Sequence, residues 1–265
     1  MQLSGSLKTL CISNAWHREK EVLAMSANIM ITGASGGIGS AIARALAPQG
    51  RLFLVGNRGK DALLSLTRSL NDEGYSASCF FSDLSREEGC RSVFSEYDRL
   101  FGSPDLLVNC AGIARVSLIQ DTDEEDLQEV LQTNLSSCIR MSREAARRMI
   151  QKKSGRIINI SSVFGASGAS CESVYAAAKG AMNAFTKSLA KELAPSGISV
   201  NAISPGAIDT VMNDNLSPDE KAVLAEEIPA GRFGTPEEVA ECVRLLSLAP
   251  LYLTGQIIAV DGGWT

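Results

Sequence analysis

The chain has 265 residues, of which 45% are apolar and 21% are charged, so it can bury one sizeable core and is not typical of disordered proteins. Its net charge of −5, from 25 basic and 30 acidic residues, argues against a nucleic-acid-binding surface. The single histidine, His17, excludes sites built on several histidines, such as HExxH zinc hydrolases. No apolar run is long enough to predict a membrane span, and no metal site is expected.

Residues 1–27 lie outside the main pattern and form a predicted N-terminal extension. They lack the layout of a secretory signal. Lys20-Glu21-Val22 can be encoded by a string that contains a bacterial ribosome-binding sequence, shortly before Met25. We therefore expect the native chain to begin at Met25, which makes residues 1–24 a start-site misannotation. A real, poorly ordered extension is the alternative.

From residue 28 to residue 265, short apolar runs alternate with helical patterns. The predicted strands cover 28–32, 51–56, 77–81, 106–109, 156–161, 198–203 and 256–260. The predicted helices cover 38–47, 61–70, 86–100, 124–149 with a break near Asn134, 174–193, 218–227 and 236–248, the last with an N-terminal capping box. This alternation predicts a single α/β domain. We expect a Rossmann-type, doubly wound parallel sheet of about seven strands with helices on both faces.

A glycine-rich turn, TGASGGIG at 32–39, joins the first predicted strand to the first predicted helix. Glycines let the backbone approach a pyrophosphate, and the start of a helix offers free N–H groups. The strand before the turn and the helix after it favour a dinucleotide site over a merely tight turn.

Tyr175 and Lys179 are four residues apart on a predicted helix and therefore share one face. A free tyrosine has a pKa of about 10, and a neighbouring ammonium is expected to lower it. Ser162 follows the end of a predicted strand. These three residues predict proton transfer without histidine.

Together these features resemble the short-chain dehydrogenase/reductase family over residues 28–265. The matching motifs are TGASGGIG at 32–39, Asp83-Leu84, NCAG at 109–112, Asn134, Ser162, Tyr175-x-x-x-Lys179, PGAIDT at 205–210 and DGG at 261–263. The family's NNAG is NCAG here, with Cys110 in its second position.

The resemblance implies a catalytic tetrad. Tyr175 would be the general acid, and Ser162 would bond the carbonyl oxygen of the substrate. Lys179 would bind the nicotinamide ribose and tune Tyr175, while Asn134 would hold a water that bonds Lys179. The same residues argue against a catalytically silent, dinucleotide-sensing regulator, which is the alternative from another functional class.

The resemblance also implies a cofactor-binding set, in which Asp83 and Leu84 hold the adenine and Ile208 and Thr210 contact the nicotinamide carboxamide. The full set is Gly33, Ser35, Gly36, Gly37, Ile38, Gly39, Asn57, Arg58, Asp83, Leu84, Asn109, Cys110, Ala111, Gly112, Tyr175, Lys179, Pro205, Gly206, Ile208 and Thr210. After the second predicted strand stand Asn57, Arg58 and Lys60, with no carboxylate. Because a carboxylate there would repel a 2′-phosphate, its absence favours NADPH over NADH. Against this, position 36 is Gly where the family often has a basic residue.

Two substrate classes follow from closer resemblances. YLTGQIIAVDGG at 252–263 and NLSS at 134–137 resemble the 3-oxoacyl-acyl-carrier-protein reductases of fatty acid synthesis. GASCESVYAAAKGA at 168–181, AKELAPSGI at 190–198 and EEIPAGR at 226–232 resemble the reductases that convert a 5-aminopentanone group on elongation factor P. Glu172, in the motif at 168–181, is expected near the mouth of the site. We expect the 3-oxoacyl type, with the aminopentanone type as the alternative.

A lid is expected at 207–234. Its acidic residues suit a cationic substrate, although solvated charges explain them equally well.

Seven cations (Arg140, Arg143, Arg147, Arg148, Lys152, Lys153 and Arg156) form what we call the basic stretch. It could receive an acidic acyl carrier protein, or be a solvated face or a subunit interface. The family commonly forms tetramers, so a homotetramer or homodimer is expected. Seven cysteines without a CxxC pair favour a reducing cytoplasm.

Overall fold

Seven parallel strands form one sheet, in the order β3-β2-β1-β4-β5-β6-β7. The fold is taken from a computed structural model, which describes residues 27–211 and 217–265. The strands are β1 (Ala27–Thr32), β2 (Gly50–Gly56), β3 (Ser76–Phe81), β4 (Leu106–Asn109), β5 (Gly155–Ile160), β6 (Ile198–Pro205) and β7 (Ile257–Val260). The predicted extension, including His17 and Met25, and Asp214 of the predicted lid lie outside the described residues.

Helices connect the strands and cover both faces of the sheet. They are α1 (Gly37–Leu46), α2 (Lys60–Asp72), α3 (Glu87–Leu100), α4 (Glu124–Leu131), α5 (Ser137–Lys152), α6 (Phe164–Ser167), α7 (Ser173–Leu193), α8 (Pro218–Glu227) and α9 (Pro236–Leu248). In the described ranges, no helix is long and apolar enough to cross a bilayer.

Alternating side chains of β1 divide the core into two layers. Ile29 and Ile31 pack in the cluster that contains Ile42 of α1. Met30, between them, packs in the opposite cluster with Met141 of α5. All five side chains are fully buried, and each contributes about 1.5–3 kcal/mol through its removal from water. Strands buried on both faces explain why the sequence shows continuous apolar runs.

The predicted α/β fold is confirmed, with each strand within two residues of its expected bounds. The helix predicted over 124–149 is broken near Asn134, as expected. The break is a π-helical turn, Gln132–Ser136, between α4 and α5. The short helix α6 was not predicted, because four residues carry no readable period.

The strand order reverses where β1 and β4 lie side by side in the sheet. From β1 the next strands, β2 and β3, extend to one edge, and from β4 the strands β5 to β7 extend to the other. In a parallel sheet the carboxyl ends of all strands lie along one edge, and ligands bind where the order reverses. The glycine turn, NCAG, Ser162 and PGAIDT follow β1, β4, β5 and β6, so they converge on this edge.

Candidate active site

The glycine turn packs against the segment that follows β4. Gly33 has a φ of +69°, and a Cβ on it would lie 2.7 Å from the backbone nitrogen of Ala111, so no other residue fits. Thr32 holds the same contact, since its Oγ1 accepts hydrogen bonds from the N–H groups of Cys110 at 3.1 Å and Ala111 at 3.2 Å. The motifs after β1 and β4 therefore form one unit.

Helix α1 begins at Gly37 behind Gly36, which offers no side-chain cap to the first turn. Uncapped N–H groups at the positive end of a helix form an anion site. A Cβ on Gly37 would lie 2.9 Å from Cγ2 of Thr210, so the segment after β6 closes over this turn. The glycine backbone and the free N–H groups between these elements fit the pyrophosphate of a dinucleotide.

The residues predicted to hold the adenosine lie at the ends of β2 and β3. Ser35 of the glycine turn donates its hydroxyl to the carbonyl oxygen of Arg58 at 3.0 Å. Asp83 accepts from the N–H and the hydroxyl of Ser85, at 3.0 and 2.7 Å. Leu84 is buried, whereas Asn57 and Arg58 are exposed. The guanidinium of Arg58 donates to the carboxylate of Glu129.

Asn109 is placed at the same edge, but its side chain enters a buried polar network. Its Nδ2 donates to Ser142 Oγ and to Asn159 Oδ1, both at 2.9 Å. Asn159 in turn donates to Thr186 Oγ1 at 2.9 Å. The network ties β4 and β5 to α5 and α7, so the side chain of Asn109 fixes the sheet edge. Next to it, burial raises the pKa of the Cys110 thiol to about 12.

The reactive residues meet where β5 ends beside α7. The Ser162 side chain is largely buried, and its Oγ accepts the N–H of Phe164 at 3.2 Å. Tyr175 and Lys179 share one face of α7, and the Lys179 Nζ lies 5.4 Å from the centre of the Tyr175 ring. Lys179 is buried and donates to the carbonyl oxygen of Ile160 at 2.8 Å. Three of the four predicted catalytic residues therefore come together around the end of one strand.

Burial raises the pKa of Tyr175, opposed by a hydrogen bond with Ser162. Lys179 is itself desolvated, which lowers the pKa of its ammonium to about 8. The net shift of the Tyr175 pKa is therefore upward, opposite to the expected lowering, because removal of the phenol from water is the largest influence. A raised pKa keeps Tyr175 protonated at neutral pH, as a proton donor requires.

Asn134, the fourth predicted catalytic residue, lies in the π-helical turn. Its Nδ2 donates to the carbonyl oxygens of Ile113 and Val130, each at 2.9 Å, and its Oδ1 accepts the N–H of Ile113 at 3.2 Å. A Cβ on Gly112 would lie 2.6 Å from this Oδ1 and 3.5 Å from the Lys179 Nζ. Asn134 and Lys179 therefore lie on either side of Gly112, where no side chain would fit. A π-helical turn often marks a functional position.

Glu172, expected near the mouth of the site, stands immediately before α7 and one turn before Tyr175. Its carboxylate makes no hydrogen bond or ion pair with any residue of 27–211 or 217–265. The side chain is half-buried, and burial raises its pKa. The preceding residue, Cys171, has a φ of +61° and accepts the N–H of Ser117 at 2.8 Å through its carbonyl oxygen. The sequence could not show that the Glu172 carboxylate lacks a partner in these ranges.

Helix α8 lies in the predicted lid at 207–234 and spans the predicted residues. None of its residues is buried, and Lys221 pairs with Asp209 at 3.6 Å. Ile208 is buried and bridges to Gly234, so the two ends of this segment are joined. Pro205 ends β6, and Gly206 donates to the carbonyl oxygen of Val260 at 3.0 Å.

The basic stretch is largely paired with acids of the same chain. Arg143 lies 3.4 Å from Glu87, and Arg148 lies 2.5 Å from Asp98 and 3.3 Å from Glu144. The pairs with Glu87 and Asp98 join α3 to α5, and all three pairs reduce the positive potential that the sequence suggested. Separately, within the two described ranges, no group of three or more potential metal ligands is assembled.

Comparisons with known proteins agree with this geometry. A family model described as Enoyl-(Acyl carrier protein) reductase matches residues 33–265. The uncharacterized oxidoreductase YmfI of Bacillus subtilis is 42% identical over 243 residues, covering 91% of this chain and 99% of that protein. The 3-oxoacyl-[acyl-carrier-protein] reductase FabG of Aquifex aeolicus is 41% identical over 236 residues, covering 88% and 95%.

A solved structure from Beutenbergia cavernae, assigned as an NAD(P) dependent gluconate 5-dehydrogenase with NADP bound at low occupancy, has a TM-score of 0.85. It is 35% identical, and the match covers 91% of this chain and 97% of that one. The names of these similar proteins agree on oxidoreductase chemistry but differ in the substrate.

Proposed function

Because this chain belongs to the short-chain dehydrogenase/reductase family and is an NAD(P)-dependent oxidoreductase, we propose that it uses NADPH to reduce a ketone to a secondary alcohol. The proposed substrate is a 3-oxoacyl group on acyl carrier protein. The observation that carries the proposal is the meeting of Ser162, Tyr175 and Lys179 beside the glycine turn, with Lys179 anchored on Ile160. Similarity to FabG over 95% of its length supports the substrate class.

In the proposed reaction, the Tyr175 hydroxyl donates its proton to the carbonyl oxygen, to which Ser162 also donates a hydrogen bond. When bound, NADPH supplies the hydride that the carbonyl carbon receives. Tyr175 is left as a tyrosinate, which the nearby Lys179 ammonium stabilises until solvent restores the proton. Asn134, beside Gly112 and Lys179, positions the route for that proton. The added hydride and proton complete the alcohol.

The residues that would hold NADPH lie along the same edge of the sheet. The start of α1 would take the pyrophosphate, and Asp83 with Leu84 would border the adenine. Asn57 and Arg58 would face the ribose and its 2′-phosphate. Ile208 and Thr210 would meet the carboxamide of the nicotinamide. Positive charge at the end of β2, with no carboxylate from 55 to 60, supports NADPH as the cofactor.

The test is a substrate panel followed by the loss of NADPH absorbance, with acetoacetyl thioesters and with elongation factor P that bears the 5-aminopentanone group. Tyr175→Phe is expected to lower kcat by roughly 10²–10⁴-fold, because the proton donor is lost. Turnover of neither substrate would contradict both assignments. Equal rates of wild type and Tyr175→Phe would instead favour the silent regulator.

A ketone that carries a primary amine, as in the 5-aminopentanone group of elongation factor P, is the second candidate. The observation that favours it is Glu172, a half-buried carboxylate one turn from Tyr175 with no partner in the described ranges. An unpaired buried carboxylate is costly, and a substrate ammonium would satisfy it. A thioester carries no such charge.

The two candidates separate at Glu172. With the amino ketone as substrate, Glu172→Gln is expected to lower kcat/KM about 10-fold, because one charge-assisted hydrogen bond is lost. With acetoacetyl thioesters it should leave kcat/KM unchanged. Glu192→Gln, an exposed change near the far end of α7, is the matched control. Equal effects on both substrates would remove the support for the second candidate.

We also propose a cytoplasmic, homo-oligomeric enzyme whose partner is acyl carrier protein in the first case and elongation factor P in the second. Six cysteines in the described ranges are free thiols, which supports a reducing compartment. The basic stretch remains the proposed approach surface for an acidic carrier, although its internal ion pairs predict weak steering.

A further inference from the structure

Arg58 reaches from the end of β2 to Glu129 on α4, 71 residues further along the chain. Its Nη2 donates to Oε1 of that carboxylate. The other oxygen, Oε2, accepts from Nη2 of Arg115 at 2.5 Å, and Arg115 also donates to Asp126 at 3.0 Å. Glu129 is therefore shared between two guanidinium groups that come from different segments.

These four residues, together with Asp123 and Glu125, line a cavity of about 380 Å³. The cavity lies beside the glycine turn, since Ser35 donates to the carbonyl oxygen of Arg58 at 3.0 Å. In dinucleotide-binding sheets, the residues after the second strand meet the 2′-position of the adenosine ribose. Here the cavity holds two arginines and four carboxylates. A 2′-phosphate must therefore compete with a carboxylate for Arg58.

We propose that Glu129 lowers the preference for NADPH over NADH by competing with the 2′-phosphate for Arg58. The proposal rests on the NADPH-dependent function proposed above. Arg58 is 69% exposed at its side chain, so its ion pair is weak enough to exchange. When Arg58 turns to a phosphate, Glu129 keeps Arg115, so no buried carboxylate is left without a partner. The exchange therefore carries a low cost in both directions.

Glu129→Gln removes the competitor and keeps the shape of the side chain. We expect NADPH to bind about 3-fold more tightly to this variant, because an exposed ion pair is lost from the free protein only. NADH, which has no 2′-phosphate, should bind as to wild type. Glu125→Gln is the matched control, because it removes the same charge from the same cavity but from a residue that makes no ion pair in the described ranges. That control should leave both dissociation constants unchanged.

A double variant separates competition for Arg58 from simple repulsion between Glu129 and the phosphate. Arg58→Ala is expected to weaken NADPH about 10-fold, through the loss of a charge-assisted hydrogen bond. In that background, Glu129→Gln should have no further effect if Glu129 acts by holding Arg58. A persistent gain would show repulsion through space and overturn the proposal.

The measurement is a fluorescence or calorimetric titration of each protein with NADPH and with NADH, after thermal unfolding has verified that each variant is folded. Tighter NADPH binding by Glu129→Gln alone supports the proposal. If both cofactors bind but Glu129→Gln behaves like Glu125→Gln, this inference fails while the proposed function stands. If wild type binds neither cofactor, the proposed function fails and the inference with it.

Discussion

Lys179 holds a positive charge in surroundings that oppose it. The side chain is buried, donates to the carbonyl oxygen of Ile160, and has a pKa lowered to about 8 by desolvation. The proposed mechanism needs that charge, because the ammonium stabilises the tyrosinate left on Tyr175. Catalysis and stability therefore make opposite demands on this residue.

The conflict predicts how the effect of Lys179→Met on stability changes with pH. In the unfolded chain the lysine pKa is 10.5, and in the folded chain it is about 8. Below pH 8 both states bind the proton, so the native state bears the full cost of the buried charge. Between these values only the unfolded state binds it, so wild-type stability rises with pH. Relative to Lys179→Met, the free energy of unfolding of wild type should rise by on the order of 2 kcal/mol from pH 7 to pH 9.5.

Urea unfolding of both proteins at the two pH values measures this difference. The hydrogen bond to Ile160 is lost at both values and cancels, as do the contributions of the buried cysteines. Lys187→Met, an exposed change on the same helix, is the control and should give the same difference at both values. A pH-independent difference for Lys179→Met would show that the buried lysine is already neutral or well solvated.

At the level of elements, α8 and α9 begin with the same capping box but have different surroundings. In α9, Thr235 and Glu238 cap each other, Arg232 pairs with Glu238 at 2.7 Å, and five residues are buried. In α8, Ser217 and Glu220 cap each other, and no residue is buried. Helix α9 also packs on α1, which begins at the glycine turn. The same local motif therefore supports the core in one helix and a surface segment in the other.

Two matched alanine variants test this difference. Thr235→Ala should lower the free energy of unfolding by about 1 kcal/mol, because the first turn of a core helix loses its cap. Ser217→Ala should leave global stability within about 0.5 kcal/mol, since α8 can loosen without exposing core residues. Chemical denaturation of both variants measures the two effects. Equal destabilisation would show that α8 unfolds together with the core.

Local sequence patterns predicted most helices and strands, because the features that begin, end or break these elements lie within a few residues of each other. The capping box at Thr235, the break at Asn134 and the continuous apolar strands are all short-range features. Helix α6 escaped prediction because it has one turn, closed by Gly168. The contact of Arg58 with Glu129 was also missed, because it joins residues 71 positions apart.

The sequence predicted which residues form the candidate site, but not how deeply each side chain is buried or which partners it bonds. Tyr175 and Lys179 are near each other, as their spacing predicts. The direction of the Tyr175 pKa shift was wrong, because spacing reveals a neighbouring charge and not the depth of burial. For the same reason, spacing did not reveal the buried network that the Asn109 side chain forms with Ser142.

For the whole molecule, the distribution of exposed apolar side chains is uneven. Five of them lie close together in the chain, at the end of α9 and before β7. These are Leu245, Leu248, Leu251, Tyr252 and Leu253, and the Tyr252 side chain is fully exposed. Strand β7 is the edge strand of the sheet, with β6 as its neighbour. An apolar surface beside an edge strand supports the proposed homo-oligomer, since it would cover both.

Tyr252→Glu tests whether this surface joins two copies of the chain. A carboxylate at the centre of a buried contact is expected to cost at least about 2 kcal/mol, which raises the dissociation constant by about 30-fold or more. Sedimentation velocity over a dilution series should therefore show the variant in a smaller assembly than wild type. Val223→Glu, a charge placed at a 61% exposed valine of α8, is the control and should sediment as wild type does. An assembly that Tyr252→Glu leaves intact would place the interface elsewhere, with the long helices α5 and α7 as the next surfaces to test.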